Sequence, residues 1–96
     1  MDIRVSGHQL DTGAALRTHV EARLNGIKDK YFAKALSAQA TVGRAPHERF
    51  SCDIIVHVMQ GLILKGRAEA ADAHLAFDSA AEKIEKQLRR YMRRLQ

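Results

Sequence analysis

The spacing of the apolar residues changes along this chain between a period of two and a period of three to four, and this change most restricts the fold. In "DIRVSG", Ile3 and Val5 alternate with polar residues, which predicts a strand that ends at Gly7. Asp11 or Thr12 is then predicted to cap a helix. Its apolar stripe has helical spacing and comprises Leu16, Val20, Leu24, Ile27 and Tyr31.

Three more alternating runs follow the first helix. The second strand begins at Leu36 and continues on one face with Ala38, Ala40 and Val42. The segment "APHER" contains the only proline and predicts a loop. The third strand has its apolar face at Phe50, Cys52, Ile54, Val56 and Val58, and Gln60-Gly61 predicts a reversal into a fourth strand, "LILKGRAEA".

A second helix is predicted after Asp72, which is a suitable cap. Its apolar stripe is Phe77, Ala81, Ile84, Leu88, Tyr91 and Leu95. The order is therefore βαβββα, an α+β fold with a four-stranded mixed sheet. The first two strands should be parallel, because a right-handed crossover joins them, and the others antiparallel. Both helices should pack on one face of the sheet and leave the other face open.

Ninety-six residues with this pattern predict a single domain, residues 1–96. The lone Cys52 excludes an internal disulfide, and the N-terminal segment lacks the basic and apolar order of a signal peptide. The longest strongly apolar stretch, residues 54–59, is too short to span a bilayer. We therefore expect a cytoplasmic protein that does not enter membranes.

Most of the positive charge lies at one end of the chain. The formal net charge is +5 and the isoelectric point is near 9.8, and residues 82–96 contain six basic residues against two acidic ones. Helical geometry places Lys83, Lys86, Arg90 and Arg94 on one flank of the apolar stripe. Asp78, Glu82 and Glu85 lie toward the other flank, where Glu85 can pair with Arg89. The pattern is typical either of a solvated helix face or of a surface that binds an anionic partner.

The first helix has a similar flank, with His19, Arg23, Gly26 and Lys30 beside its apolar stripe. If the two basic flanks face each other, they form a groove for a folded RNA. Gly26 is then either tolerated in the helix or allows a phosphate backbone to approach. The predicted RNA contacts, with the fourth strand as an extension of the groove, are Arg23, Lys30, Lys65, Arg67, Lys83, Lys86, Arg90, Arg93 and Arg94.

Three segments resemble the family of ribosome hibernation promoting factors and ribosome-associated inhibitors. "IRVSGHQ" is similar to the opening strand of that family, and "ALRTHVEARLNGIKDKYF" is similar to its first helix. "ADAHLAFDSAAEKIEKQLRRYMRRL" resembles its last helix, with Lys83, Ile84, Gln87 and Leu88 at the centre. Two positions depart from the family pattern: His74 stands where tyrosine is frequent, and Gly26 stands where lysine is frequent.

The resemblance implies a fold similar to a double-stranded-RNA-binding domain. It also implies that the basic helix faces bind the small ribosomal subunit and its 16S ribosomal RNA, in the channel of messenger and transfer RNA. Such a protein represses translation in non-growing cells without chemistry. The chain stops soon after the second helix, which favours the short type that acts with a separate ribosome modulation factor. Both pairing of ribosomes and silencing of single ribosomes are compatible with the sequence.

Other kinds of function find less support in the residues. The five histidines have no metal-binding spacing, Cys52 is expected to be a buried thiol, and no phosphate-binding loop or small-molecule site is recognisable. We therefore predict no enzyme, no cofactor and no metal. Three alternatives remain. A basic helix can lie on an anionic membrane, but the last helix has only Phe77 and Tyr91 as aromatics, which disfavours this reading. The others are a stand-alone double-stranded-RNA-binding module and a protein-binding regulator of a transcription factor, which would use an open sheet face bearing Ile55 and Ile63.

Overall fold

The computed structural model describes residues 1–31 and 34–94, and they form the predicted βαβββα order. A short 3-10 turn, Met59–Gly61, connects the third and fourth strands, and Gly61 adopts a left-handed φ of 79° there. The elements are β1 (Asp2–His8), α1 (Ala14–Lys30), β2 (Ala35–Ala45), β3 (Arg49–Val58), β4 (Ile63–Ala70) and α2 (Ala73–Arg94).

The sheet has the strand order β1-β2-β3-β4. β1 pairs with β2 in parallel, and the other two pairs are antiparallel, as the alternating pattern and the crossover rule predict. The core residues of α1, α2 and the inner face of the sheet form one cluster, so both helices cover the same face. The fold class predicted from the sequence is confirmed.

Among the described residues the core is mostly aliphatic, with Phe77 and Cys52 as its other members. Its largest fully buried side chains are Phe77, Ile54, Ile84, Val20, Val42 and Cys52. Burial raises the pKa of the Cys52 thiol to about 12, so it stays protonated and unreactive near neutral pH. The predicted role of Cys52 as a packed apolar thiol is confirmed.

Two local predictions are wrong. The N-cap of α1 is Gly13, which forms no side-chain cap, so neither Asp11 nor Thr12 caps the helix. Leu36 does not join the core face of β2 and is 57% exposed. The pairing register shifts between Ala35 and Ser37, which leaves Leu36 as an extra residue in β2, and Ala35 packs against the core instead. Leu95 of the predicted α2 stripe lies outside the described residues.

α2 approaches β4 very closely at Gly66. A Cβ atom at this position would lie 2.7 Å from the backbone oxygen of Ala80 and 3.4 Å from the side chain of Ile84. Because real Cβ atoms do not come so near a carbonyl oxygen, the close packing of the helix on the edge of the sheet depends on this glycine. The contact fixes which side of α2 faces the sheet and which faces solvent.

Candidate RNA-binding surface

The burial of α2 determines where its charges lie. The carboxylate of Asp72 accepts a hydrogen bond from the backbone N–H of Leu75 at 2.8 Å, which confirms the predicted cap. Downstream, one stripe of the helix is buried against the sheet and α1: Ala76, Phe77, Ala80, Ala81, Ile84, Glu85 and Leu88. With this stripe inward, the remaining side of α2 is exposed over its last three turns.

That exposed side is almost entirely cationic. We call it the outer face of α2, and it comprises Lys83, Lys86, Arg90, Arg93 and Arg94, all exposed. At 100° per residue these five side chains span about 100° of the helix surface. Within residues 1–31 and 34–94, Lys86, Arg90, Arg93 and Arg94 form no ion pair. The outer face of α2 therefore carries charges that are not neutralised by these residues.

α1 and α2 meet at a second cluster, which we call the helix junction: Arg23, Lys30, Tyr31, Glu85 and Arg89. Glu85 is only 7% exposed, and its carboxylate accepts hydrogen bonds from Arg23 Nη1 at 3.1 Å and Lys30 Nζ at 3.0 Å. Tyr31 Oη donates to it at 3.0 Å, and Arg89 Nη2 lies at 3.4 Å, the predicted i,i+4 pair. One buried carboxylate thus holds three cations from two helices.

The protonation equilibria at the helix junction reflect these contacts. The hydrogen bond from Lys30, together with those from Tyr31 and Arg23, lowers the pKa of Glu85 from 4.5 to about 2, although burial acts in the opposite direction. The same hydrogen bond raises the pKa of Lys30. The pKa of Arg89 is raised chiefly by its contact with the Tyr31 hydroxyl, which accepts from Arg89 Nε at 3.1 Å. Glu85 is therefore ionised throughout the physiological pH range.

The groove expected between two basic flanks is not formed. The basic flank of α1 faces the acidic flank of α2: His19 Nε2 lies 2.6 Å from Asp78 Oδ1, and Arg23 and Lys30 bind Glu85. Opposite charges attract across the helix layer, whereas two basic flanks would repel each other there. The basic flank of α2 instead points outward and toward β4.

Side chains of α2 cover part of the free edge of β4. The Gln87 amide pairs with the backbone of Lys65 in both directions, accepting from its N–H at 3.2 Å and donating to its carbonyl at 2.5 Å. Lys83 Nζ donates to the carbonyl of Arg67 at 2.5 Å. These contacts satisfy backbone groups that an edge strand otherwise presents to other chains.

The side chains of Lys65 and Arg67 do not join the outer face of α2. They alternate with the buried Leu64 and Gly66 and thus lie on the open face of the sheet. Arg67 Nη1 contacts Asp53 Oδ2 at 2.6 Å, and this carboxylate raises the pKa of Arg67. Of the nine predicted RNA contacts, the structure brings five together on the outer face and two at the helix junction, and it separates Lys65 and Arg67 from both.

The open face of the sheet carries both charge signs. Beside the Asp53–Arg67 pair, Ile55 is 38% exposed and Ile63 is 48% exposed, as predicted for this face. Arg67 also lies 3.6 Å from Glu69. Because carboxylates already neutralise cations on this face, it attracts phosphate less strongly than the outer face of α2 does.

The two departures from the family pattern lie on the surface. Gly26 is exposed, and a Cβ atom there would meet nothing within 4 Å, so packing within the described residues does not require glycine. His74 is exposed and its ring centroid lies 5.3 Å from that of His19. Neither position interrupts the outer face of α2.

Sequence reasoning missed four residues of the site. Glu85 was assigned to an acidic flank, yet its position beside the buried Ile84 and Leu88 could have indicated an interhelical role. Tyr31 was assigned only to the apolar stripe, although a buried phenol usually needs a hydrogen-bond partner. Arg89 is predicted only as the i,i+4 partner of Glu85, so its contact with Tyr31 was missed. Gln87 gave no signal, because its partner is the backbone of β4.

Comparison with known proteins decides the family. The model of the family described as "Sigma 54 modulation protein / S30EA ribosomal protein" matches residues 3–96. The chain belongs to this family. The family predicted from the sequence is thereby confirmed, since relatives of this S30EA family member are named as ribosome hibernation factors.

Three relatives illustrate the range of lengths in the family. The chain is 38% identical over 95 residues to "Ribosome hibernation promotion factor" of Rhizobium meliloti and 35% identical over 95 residues to that of Bradyrhizobium diazoefficiens. These matches cover 99% of this chain but 50% and 46% of the relatives, so the chain spans about half their length. "Ribosome hibernation promoting factor" of Azotobacter vinelandii is 32% identical over 90 residues, which are 92% of this chain and 79% of that protein.

Solved structures share the fold. The N-terminal domain of Thermus thermophilus Protein Y superposes with a TM-score of 0.81 at 25% identity, covering 95% of this chain and 99% of that one. A ribosomal subunit interface protein from Coxiella burnetii superposes with a TM-score of 0.82 at 24% identity, covering 95% and 97%. The second likeness bears on the fold alone.

The described residues offer neither a metal site nor a membrane-spanning helix. No group of three or more histidine, cysteine, aspartate or glutamate side chains there is arranged to hold a metal ion. No helix in this part of the S30EA family member has the length and apolar character needed to cross a membrane.

Proposed function

We propose that this S30EA family member is a ribosome hibernation domain that binds ribosomal RNA of the small subunit through the outer face of α2. The observation that carries the proposal is the row of exposed cations on that face, of which Lys86, Arg90, Arg93 and Arg94 have no ion-pair partner among the described residues. Bound there, the domain occupies the channel of messenger and transfer RNA and represses translation.

The electrostatics of the outer face support a phosphate-rich partner. Lysine and arginine side chains that contact nucleic acid phosphates release condensed counterions, which favours binding at low salt. The few aromatic side chains, five in the whole sequence, offer little surface for stacking on unpaired bases. A row of cations with no aromatic side chain among them fits the backbone of a folded RNA better than the bases of a single strand.

The relatives give the proposal its biological setting. Their names assign ribosome hibernation to proteins that match this chain over nearly its whole length. The proposed repression works by occupancy of the channel and needs no bond-breaking chemistry. The ribosome modulation factor is the proposed partner where ribosomes are paired, and sedimentation of treated ribosomes distinguishes pairs from silenced single particles.

The salt dependence of binding tests this proposal. We expect Lys86→Gln with Arg90→Gln to weaken binding to purified small subunits and to reduce the slope of log affinity against log salt by about 1 to 2, because two phosphate contacts are lost. Glutamine keeps helix propensity close to that of lysine and arginine, so folding should survive.

A matched control removes two cations from the open face of the sheet. Arg4 and Arg49 are both exposed, and Arg4→Gln with Arg49→Gln changes the net charge by the same amount. We expect this variant to keep the wild-type salt slope. Equal slopes for the wild type and the Lys86/Arg90 variant would instead identify the outer face as a merely solvated surface.

A further inference from the structure

Glu85 is an unusual residue for a surface that binds RNA. It places a permanent negative charge between the cations of the helix junction, where charge alone would disfavour phosphate. Its carboxylate is nonetheless nearly buried and receives hydrogen bonds from Arg23, Lys30 and Tyr31, with Arg89 close by. Such a fully occupied carboxylate does not repel a ligand as an exposed one does, because its charge is already compensated.

The cations around Glu85 keep N–H groups that are not bound to it, and these groups indicate what the cluster can bind. Arg23 binds the carboxylate through Nη1, and Arg89 uses Nε on Tyr31 and Nη2 on Glu85, so each guanidinium retains further N–H groups. The side chains are still partly accessible, 36% for Arg23, 62% for Lys30 and 43% for Arg89. Three cations around one carboxylate leave an excess of two positive charges at the junction.

We propose that Glu85 is a positioning residue, which holds Arg23, Lys30 and Arg89 together so that their remaining donors bind one phosphodiester group of RNA. This inference rests on the proposed function and extends the binding surface from the outer face of α2 across to α1. Arg89 becomes a contact residue, and Tyr31 becomes a support that orients both Glu85 and Arg89.

The physical reason is preorganisation. Long cationic side chains lose rotamer freedom when they bind, which weakens binding by about two- to tenfold for each side chain that must be ordered. Mutual repulsion also drives three neighbouring cations apart when nothing anchors them. In the folded protein, Glu85 already restricts the rotamers of these side chains and offsets their mutual repulsion before RNA binds.

The variant Glu85→Gln separates positioning from simple charge. Charge alone predicts tighter binding to RNA, because the variant loses one negative charge and its net charge rises by one. Positioning predicts weaker binding to small subunits, by about threefold or more, despite that gain. The matched control is Glu82→Gln: Glu82 is exposed one turn earlier on the same helix, and its loss should leave affinity unchanged or slightly higher.

A second comparison distinguishes positioning from a general loss of stability. In a background of Arg23→Gln, Lys30→Gln and Arg89→Gln, adding Glu85→Gln should change affinity by less than about twofold, because the residues through which it acts are gone. All variants are compared at a temperature at which circular dichroism shows each to be folded, and at low salt so that weak binding is measurable.

The outcomes are distinct. If Glu85→Gln binds small subunits as tightly as the wild type or more tightly, the positioning role is overturned and the proposed function stays intact. An equal loss from Glu85→Gln in both backgrounds would also overturn it, since the effect would then come from the fold. No wild-type binding to small subunits at low salt would overturn the proposed function and this inference together.

Discussion

At the scale of single residues, Glu85 shows how tertiary contacts change the meaning of a charged side chain. In an isolated helix it would be one partner of an exposed i,i+4 pair, which contributes a few tenths of a kcal/mol. In the fold it is 7% exposed and joins α1 to α2 through Arg23 and Lys30. Removing one donor leaves this nearly buried carboxylate less well compensated, so substitutions here should affect stability more than those on the outer face.

The lowered pKa of Glu85 predicts how stability depends on pH. The carboxylate has a pKa of about 2 in the folded protein against an ordinary 4.5, so the unfolded chain takes up its proton first as pH falls. The stabilisation is therefore complete above about pH 4.5 and is lost progressively toward pH 2. Urea unfolding at a series of pH values should show a dependence for the wild type that exceeds that of Glu85→Gln by about one proton in this window. Parallel curves for the two proteins would contradict the assigned network.

At the scale of elements, α2 performs three tasks with three sides. One side packs on the sheet, where Gly66 allows the close approach, a second meets α1 at the helix junction, and the outer face carries the exposed cations. On the side of α2 next to β4, Gln87 and the outer-face residue Lys83 cover the edge of that strand. An element used on every side tolerates little rotation, which keeps the cations of the outer face in a fixed arrangement.

Removal of the edge cover should have a measurable effect. We expect Gln87→Ala to lower the free energy of unfolding by about 1 kcal/mol through the lost hydrogen bonds. The uncovered backbone of Lys65 should also promote self-association through β4 at high protein concentration. Urea unfolding and sedimentation velocity measure the two effects. Gln39→Ala on the exposed face of β2 is the control, and a similar response of both variants would show that Gln87 is not an edge cover.

The elements themselves were predictable because local periodicity encodes them. The alternation of Cys52, Ile54 and Val56 and the helical spacing of Phe77, Ala81 and Ile84 each repeat often enough to fix the type of element and its buried face. Leu36 was misplaced because a bulge breaks the alternation without any change in residue character. The cap of α1 was misplaced because Asp11 and Thr12 match the preferred residue types although the helix begins later.

The site was less predictable than the fold, because the sequence of one helix does not show which residues of another element its side chains will contact. The position of the outer-face cations on one side of α2 can be predicted from the helical spacing of that segment alone. The partners of Arg23 and Lys30 depend on which flanks of two helices meet, and this is decided by the packing of both on the sheet. The sequence predicts Lys65 and Arg67 as an extension of the RNA groove. The alternation of β4 instead directs their side chains to the open face of the sheet.

At the scale of the whole molecule, the two sides of the domain differ in electrostatic character. The helix side presents the outer face of α2 and the excess charge of the helix junction, while the sheet side pairs Arg67 with Asp53 and exposes Ile55 and Ile63. A net charge of +5 concentrated in this way orients the domain toward a polyanion before contact is made. Docking by the helix side would leave the sheet side facing away from the RNA.

In the proposed function, the domain and the ligands of translation exclude each other on the small subunit. The most direct test is an equilibrium titration of fluorescently labelled protein onto purified small subunits with increasing amounts of messenger RNA and initiator transfer RNA. We predict that the apparent Kd of the protein rises in proportion to the concentration of these competitors, until the protein is fully displaced. An apparent Kd that stays constant when messenger and initiator transfer RNA are saturating would contradict mutual exclusion on the small subunit.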